Sequence, residues 1–257
     1  MSESLRKYIV TTSSDIRASE ALGFPCVHLT YRINGSGILQ RVPTILSPRK
    51  NLMGIFDDNG LQNSDIDRLV KDISNELTRR NYNGVLLDIQ AERGTHAQIE
   101  KLCSMLSQRK IIHYLPIEMA PLSQTAKLVI PSTVSGGSLS EMLSAYTDKY
   151  GAGRLCMEIV RGRNDFEMPS YKPEGTMLSK DGFEEILKNH DPMTFFSSHL
   201  GCKYFTYRSD EHTHFVLFDD TDTAVYKSKL ADSFGFYAVF IMYAEWGEHI
   251  KKIMSSI

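Results

Sequence analysis

The segment "GVLLDIQAE" carries Asp88, Gln90 and Glu92 at every second position: two carboxyls able to hold or transfer protons and a carboxamide able only to donate and accept hydrogen bonds. On an extended strand successive side chains take opposite faces, so Leu86, Asp88 and Gln90 share one face while Val85, Leu87 and Ile89 take the other. An acid between Leu87 and Ile89 is costly to bury without a partner. Two roles fit it: a hydrogen-bonded structural carboxylate, or a site residue at the end of a strand. Glu118 and Glu158 lie in the apolar runs "IIHYLPIEM" and "RLCMEIV", where burial raises a carboxyl pKa. Glu245 adjoins Trp246. Two such carboxyls about 5–9 Å apart across a cleft would equip it for hydrolysis by general acid–base or nucleophilic chemistry. Glu92, one step beyond Gln90, is equally consistent with a solvated loop charge.

Four aromatic residues, Trp246, Tyr243, Tyr31 and Tyr114, fall at or near the ends of apolar runs. Gathered round one mouth their rings would stack on flat, partly apolar ligands, whereas each alone reads as core. His212 and His214 alternate beside Asp210 and Glu211, but no His-Glu-x-x-His spacing accompanies them, so no metal is expected. No cofactor motif is present either. The acidic turns "FDDN" and "FDDTD" read as helix caps rather than a calcium loop. "SGGS" at 135–138 reads as a tight turn before a helix.

These residues need elements to hold them. Eight short apolar runs recur along the chain, at 7–12, 26–33, 51–56, 84–90, 111–119, 127–132, 154–160 and 237–246. Several are apolar on both faces, as strands of a covered parallel sheet must be. Between them lie helical stripes. Ile66, Leu69, Val70, Ile73 and Leu77 follow Ser64, and Ile99, Leu102, Cys103 and Leu106 follow a Thr95/Gln98 capping box. Ser138 and Glu141 repeat that box, and Asp222 is the expected N-cap of a helix ending at Gly235. Strand and helix alternating this often in 257 residues predict an α/β chain closed into a (β/α)8 barrel, a fold that commonly takes roughly 250 residues. The rhythm breaks at 34–50, a long loop or hairpin. It breaks again at 161–221, which holds one helix (179–189) and the strand-like runs "YFTYR" and "HFVLFDD". The second break reads as a small α+β insertion after the seventh strand, within a single domain spanning 1–257.

Bulk properties exclude several classes of function. A net charge of -2, with Lys and Arg spread along the chain, gives no footprint for nucleic acid or an anionic membrane. No apolar run approaches the roughly 20 residues needed to span a bilayer. The start, "MSESLRKYIVTTSS", has no apolar core of a secretory signal, so a cytoplasmic location is expected, with a spore surface or release by lysis leaving the same signature. Cys26, Cys103, Cys156 and Cys202 are far apart among apolar neighbours and read as reduced core residues.

Several segments resemble glycoside hydrolase family 18. "YNGVLLDIQ" resembles the family's fourth-strand signature, Asp-x-Asp-x-Glu after an aromatic-Asp-Gly opening. "PIEMAPL" is similar to its fifth strand and "RLCMEIVRG" to its seventh. "THFVLFDDTDTAVYKSKLADSFGFYAVFIMYAEWG" is similar to its C-terminal ending. The resemblance implies a chitinase-like barrel in which Asp88 steadies the substrate's acetamido group. It also implies that Asn83 and Leu86 stand in the first two acidic positions, and that Gln90 stands where the catalytic Glu belongs. The sixth-strand Met-x-Tyr-Asp has no counterpart in "KLVIPSTVSGG".

In that family the sugar's acetamido oxygen is the nucleophile, so the enzyme must supply one proton donor. A carboxylic acid does this near neutral pH; a carboxamide donates hydrogen bonds but transfers no proton usefully. Non-catalytic plant seed relatives carry Asp-Ile-Gln at the same place. The leading expectation is therefore a pseudoenzyme that binds N-acetylated oligosaccharides, of chitin or peptidoglycan type, through Asp88 and Gln90. The second is an active glycosidase recruiting Glu92, Glu118 or Glu158. The third is a protein-interaction barrel with a vestigial mouth, whose partner docks on 161–221.

Overall fold

Each of the eight apolar runs becomes one parallel strand of a closed sheet in the computed structural model, which describes residues 4–44, 51–90, 94–134, 137–169, 175–209 and 212–256. In chain order the strands are β1 (Arg6–Thr11), β2 (Cys26–Ile33), β3 (Leu39–Arg41), β4 (Leu52–Asp57), β5 (Val85–Asp88), β6 (His113–Pro116), β7 (Lys127–Pro131) and β8 (Leu155–Glu158). A second group follows: β9 (Arg163–Met168), β10 (Thr176–Met177), β11 (Phe195–Ser197), β12 (Cys202–Ser209) and β13 (His212–Phe218). The last strand, β14 (Ala238–Met242), returns to the first sheet. The barrel order is β1-β14-β8-β7-β6-β5-β4-β2, and β2 pairs back on β1 with Ile9 opposite Cys26. β3 folds antiparallel onto β2, so the 34–50 break begins as a hairpin. The expected (β/α)8 barrel is the observed fold.

Helices cover the outside. They are α1 (Ile16–Ala21), α2 (Ile66–Arg80), α3 (His96–Gln108), α4 (Leu139–Tyr150), α5 (Lys180–His190), α6 (Thr221–Ser233), α7 (Tyr243–Trp246) and α8 (Ile250–Ser255). Between β6 and β7 the connection is a six-residue 3-10 turn, Ile117–Leu122, which contains Pro121. The stripes of α2 and α3 bury against Val85, Leu87 and Ile89. Leu86 instead joins the barrel interior with Tyr8, Val10, Val27, Tyr114 and Phe240. The alternation read from "GVLLDIQ" holds for Leu86 and Asp88, while Gln90 falls beyond the end of β5 and outside the mouth cavity. Aromatic rings fill the interior: Phe240 stacks on Tyr8 at 5.6 Å and meets Tyr114 edge-on at 5.3 Å.

Some local details differ from expectation. The α2 cap is Asp65, whose carboxylate accepts from the N–H groups of Asp67 and Arg68. Thr95 begins α3 without a side-chain cap bond, so the Thr95/Gln98 box does not form. Asp220, not Asp222, caps α6 in a reciprocal box with Thr223. Asp222 lies in the first turn, where its charge still favours the helix N-terminus. Gly235 takes the left-handed conformation expected of it, at φ +73°.

The 161–221 stretch holds more order than two strand-like runs and a helix. β10-β9-β13-β12-β11 form a five-stranded antiparallel sheet. Phe205, Val216 and Phe218 on one of its faces pack with Phe183, Ile186 and Leu187 of α5. The other face includes Asn164, Phe166, Tyr204, Phe215 and Leu217 by register. The four cysteines are buried.

Candidate functional site

A cavity of about 220 Å³ opens where the barrel strands end. Asp88 at the end of β5, Glu118 just after β6 and Glu158 at the end of β8 all line it, above a floor that includes Tyr114 and Phe240. Three carboxyls far apart in sequence therefore converge at the C-terminal mouth, where parallel barrels present their chemistry. Asp88 opens to solvent, and burial by the surrounding wall raises its pKa. Glu158 is half-buried. Burial, with repulsion from Glu245 and Asp88, pushes its carboxyl up to about 7. A group titrating there holds a proton at neutral pH and can give it away.

Gln90 lies two residues past Asp88, exposed, and does not line the mouth cavity. Glu92 lies outside the described residues, as do Asp210, Glu211 and the Ser135–Gly136 part of the "SGGS" turn. His214 lies 3.0 Å from a carboxylate oxygen of Asp165, and His212 lies 3.1 Å from Glu167. Among the described residues no His, Cys, Asp or Glu cluster is arranged to hold a metal.

The four aromatic candidates do not form one ring of stacking platforms. Tyr114 is buried within the mouth floor. Tyr31 is not at the mouth. A bulge between Leu29 and Tyr31 shifts the register of β2 against β4, and a one-residue shift sends a side chain to the opposite face. Its ring packs among α2 residues and its hydroxyl donates to Glu76 at 2.9 Å. Gly54 permits the close approach there, because a Cβ would sit 2.9 Å from Leu29 Cα. Trp246 is 1% exposed, and its indole N–H donates to the Ile159 carbonyl at 2.9 Å, so it is a core anchor rather than a free platform. Tyr243 is half-buried against the same outer core.

A larger cleft of about 800 Å³ adjoins the mouth, between the ends of β8 and β14 and the second sheet. Buried beside it, Lys227 of α6 meets Asp219 at 2.7 Å, both nearly inaccessible. Asp219 also accepts from the Gly162 N–H and the Thr223 hydroxyl. Arg161 and Arg163, three and five residues after Glu158, line the same cleft. The Arg161 guanidinium sits 5.1 Å over the Trp246 ring and donates to the Glu245 carbonyl at 2.8 Å. These residues were not singled out as site residues from the sequence, although "MEIVRGR" places two arginines just after an apolar strand. Glu245 accepts from the Arg161 backbone N–H, yet burial still raises its carboxyl pKa.

The chain superposes over nearly its whole length on solved chitinases and a spore cortex-lytic enzyme. The chain folds as a glycoside hydrolase family 18-like barrel. The spore cortex-lytic enzyme SleL of Bacillus megaterium superposes with a TM-score of 0.66 at 12% identity, covering 100% of this chain and 74% of that one. A chitinase from Chromobacterium violaceum matches with a TM-score of 0.66 at 12% identity, covering 99% and 98%. A GH18 chitinase mutant from Cycas revoluta, solved in complex with (GlcNAc)4, gives 0.64 at 12% identity, with 98% and 97% coverage. At such identities the likeness is one of fold. No family model matches the sequence, and no curated protein matches it significantly.

Proposed function

We propose that this family 18-like barrel binds N-acetylated glycans, of chitin or peptidoglycan type, at its C-terminal mouth without cutting them by the family's usual route. The observation that carries the reading is the pairing of Asp88, which faces the mouth cavity, with a carboxamide at Gln90 where that route needs an acid. General acid catalysis is worth roughly 10²–10⁴-fold, and a carboxamide forfeits it. Gln90, exposed two residues beyond β5 and outside the cavity lining, keeps a donor and an acceptor that would meet only a sugar projecting past the mouth. The mouth cavity of about 220 Å³ falls below the ~300 Å³ usual for ligand sites. One ring would occupy it, with the rest of the chain running into the adjoining cleft. The Cycas chitinase solved with (GlcNAc)4 gives the class of ligand to try first.

Calorimetry with N-acetylglucosamine oligomers of increasing length tests this directly. Binding without release of reducing ends is the expected result, and absence of heat at every length would overturn it.

A second reading rests on a specific observation. Glu158 shares the cavity with Asp88 and Glu118 and titrates near neutrality. That is the profile of a proton donor, with another carboxyl opposite as nucleophile or base. Turnover by the native protein that Glu158→Gln abolishes and Gln90→Ala leaves intact would replace the binding reading with this one.

A further inference from the structure

The cleft beside the mouth carries a charge arrangement that a neutral glycan does not need. Arg161, Arg163 and Lys180 line it against Glu245 and Glu248, while Lys227 and Asp219 neutralise each other. One positive charge is left over. Neither arginine forms an ion pair among the described residues, and Arg161 Nε is buried without a hydrogen-bond partner. Lys180 has only a long, exposed contact with Glu184, at 3.8 Å, of a kind worth little. The charge of Arg163 adds to burial in lowering the Arg161 pKa. Apolar side chains complete the wall: Phe166, Met177 and Leu217 come from the face of the second sheet opposite the one that packs on α5. The cleft therefore offers apolar surface for a ring together with forked donors for an anion.

We propose that this cleft binds an acidic sugar residue, with Arg163 and Arg161 receiving its carboxylate and Phe166 contacting its ring. Arginine forks match a carboxylate bidentately. A single surplus charge suits a monoanion better than a dianionic phosphate. The cleft's volume, about 800 Å³, lies within the roughly 300–1,000 Å³ range of small-ligand sites. The proposal rests on the N-acetylglycan reading of the mouth and specifies it: the preferred ligand is a glycan carrying carboxylates.

The test compares two tetrasaccharides by calorimetry, chitotetraose and one alternating N-acetylglucosamine with N-acetylmuramic acid. The acidic tetrasaccharide is expected to bind about tenfold more tightly, with an advantage that shrinks as salt rises. Arg163→Ala should remove the advantage, costing the acidic tetrasaccharide about tenfold more affinity than chitotetraose, and Arg163→Lys should restore part of it. Lys180→Ala, at an exposed position, gives a smaller loss and stands in if Arg163→Ala fails to fold. Equal affinity for the two tetrasaccharides, or an advantage that survives Arg163→Ala, overturns the cleft assignment alone. Binding of the acidic tetrasaccharide with none of chitotetraose overturns the general N-acetylglycan reading and sustains the cleft. Failure of both overturns both. Tighter binding of N-acetylglucosamine 6-phosphate than of N-acetylmuramic acid overturns the choice of carboxylate.

Discussion

Glu158 is a mouth carboxyl whose protonation is coupled to folding. Its pKa is raised from the ordinary carboxyl value of 4.5 to about 7, so the folded protein holds a proton that the unfolded chain has released. The stability this contributes is complete below about pH 4.5 and is lost as pH rises through about 7. Glu158→Gln should therefore leave the melting temperature near its native value at pH 4.5 and raise it at pH 8. The expected rise is a few degrees, at ~2–4 °C for each kcal/mol in a chain of this size. Thermal scans of both proteins at the two pH values check it, and an equal shift at both would show that the carboxyl is not held protonated. Asp88→Ala at the same mouth should weaken glycan binding about tenfold or more through loss of a charged hydrogen bond, with little cost in stability because Asp88 opens to solvent.

At the scale of elements, buried polar contacts fix how the barrel strands meet their coverings. Lys227 joins α6 to Asp219, and Asp219 holds the Gly162 N–H at the start of the second sheet. Lys227→Ala leaves that carboxylate buried without its partner charge and should cost roughly 3–5 kcal/mol, measurable by urea unfolding. Replacing the pair by Met and Leu should cost far less, because the desolvation penalty goes with it. A second junction lies at the foot of β2 and β4. Asn51 accepts from the Cys26 N–H at 2.8 Å and lies 3.2 Å from His28 Nε2, while Tyr82 and Glu20 complete the shell. Burial drives the His28 pKa well below the usual imidazole range, with Glu20 opposing. Its stabilising contribution is therefore present above about pH 6.5 and declines as pH falls below that value. Asn51→Ala should cost about 1–3 kcal/mol and steepen that loss on the acid side.

At the scale of the molecule, barrel closure depends on rings packed across the interior. Phe240 lies between Tyr8 and Tyr114 at 1% exposure and also floors the mouth cavity. Phe240→Ala should cost roughly 3–5 kcal/mol and loosen the mouth, so calorimetry would show weakened glycan binding together with a lower melting temperature. Much of this architecture was legible in advance. The eight strands and the inward face of Asp88 follow from local alternation and from apolar runs that only a covered parallel sheet can bury. Tyr31 was misplaced because a bulge depends on the fit of β2 against Gly54 of β4, which no period in one strand records. Trp246 was misplaced because its indole partner is the Ile159 carbonyl, remote in sequence.

The sequence by itself determined the barrel, the carboxamide at position 90 and the acids available to the mouth, since these follow from side-chain identity and short-range periodicity. Only the tertiary structure decided that Asp88, Glu118 and Glu158 share one cavity, that Glu158 keeps its proton near neutrality, and that Arg161 and Arg163 line a cleft beside it. Convergence, burial and the repulsion of like charges are set by distances between segments far apart in the chain. Those distances exist only once the strands have closed.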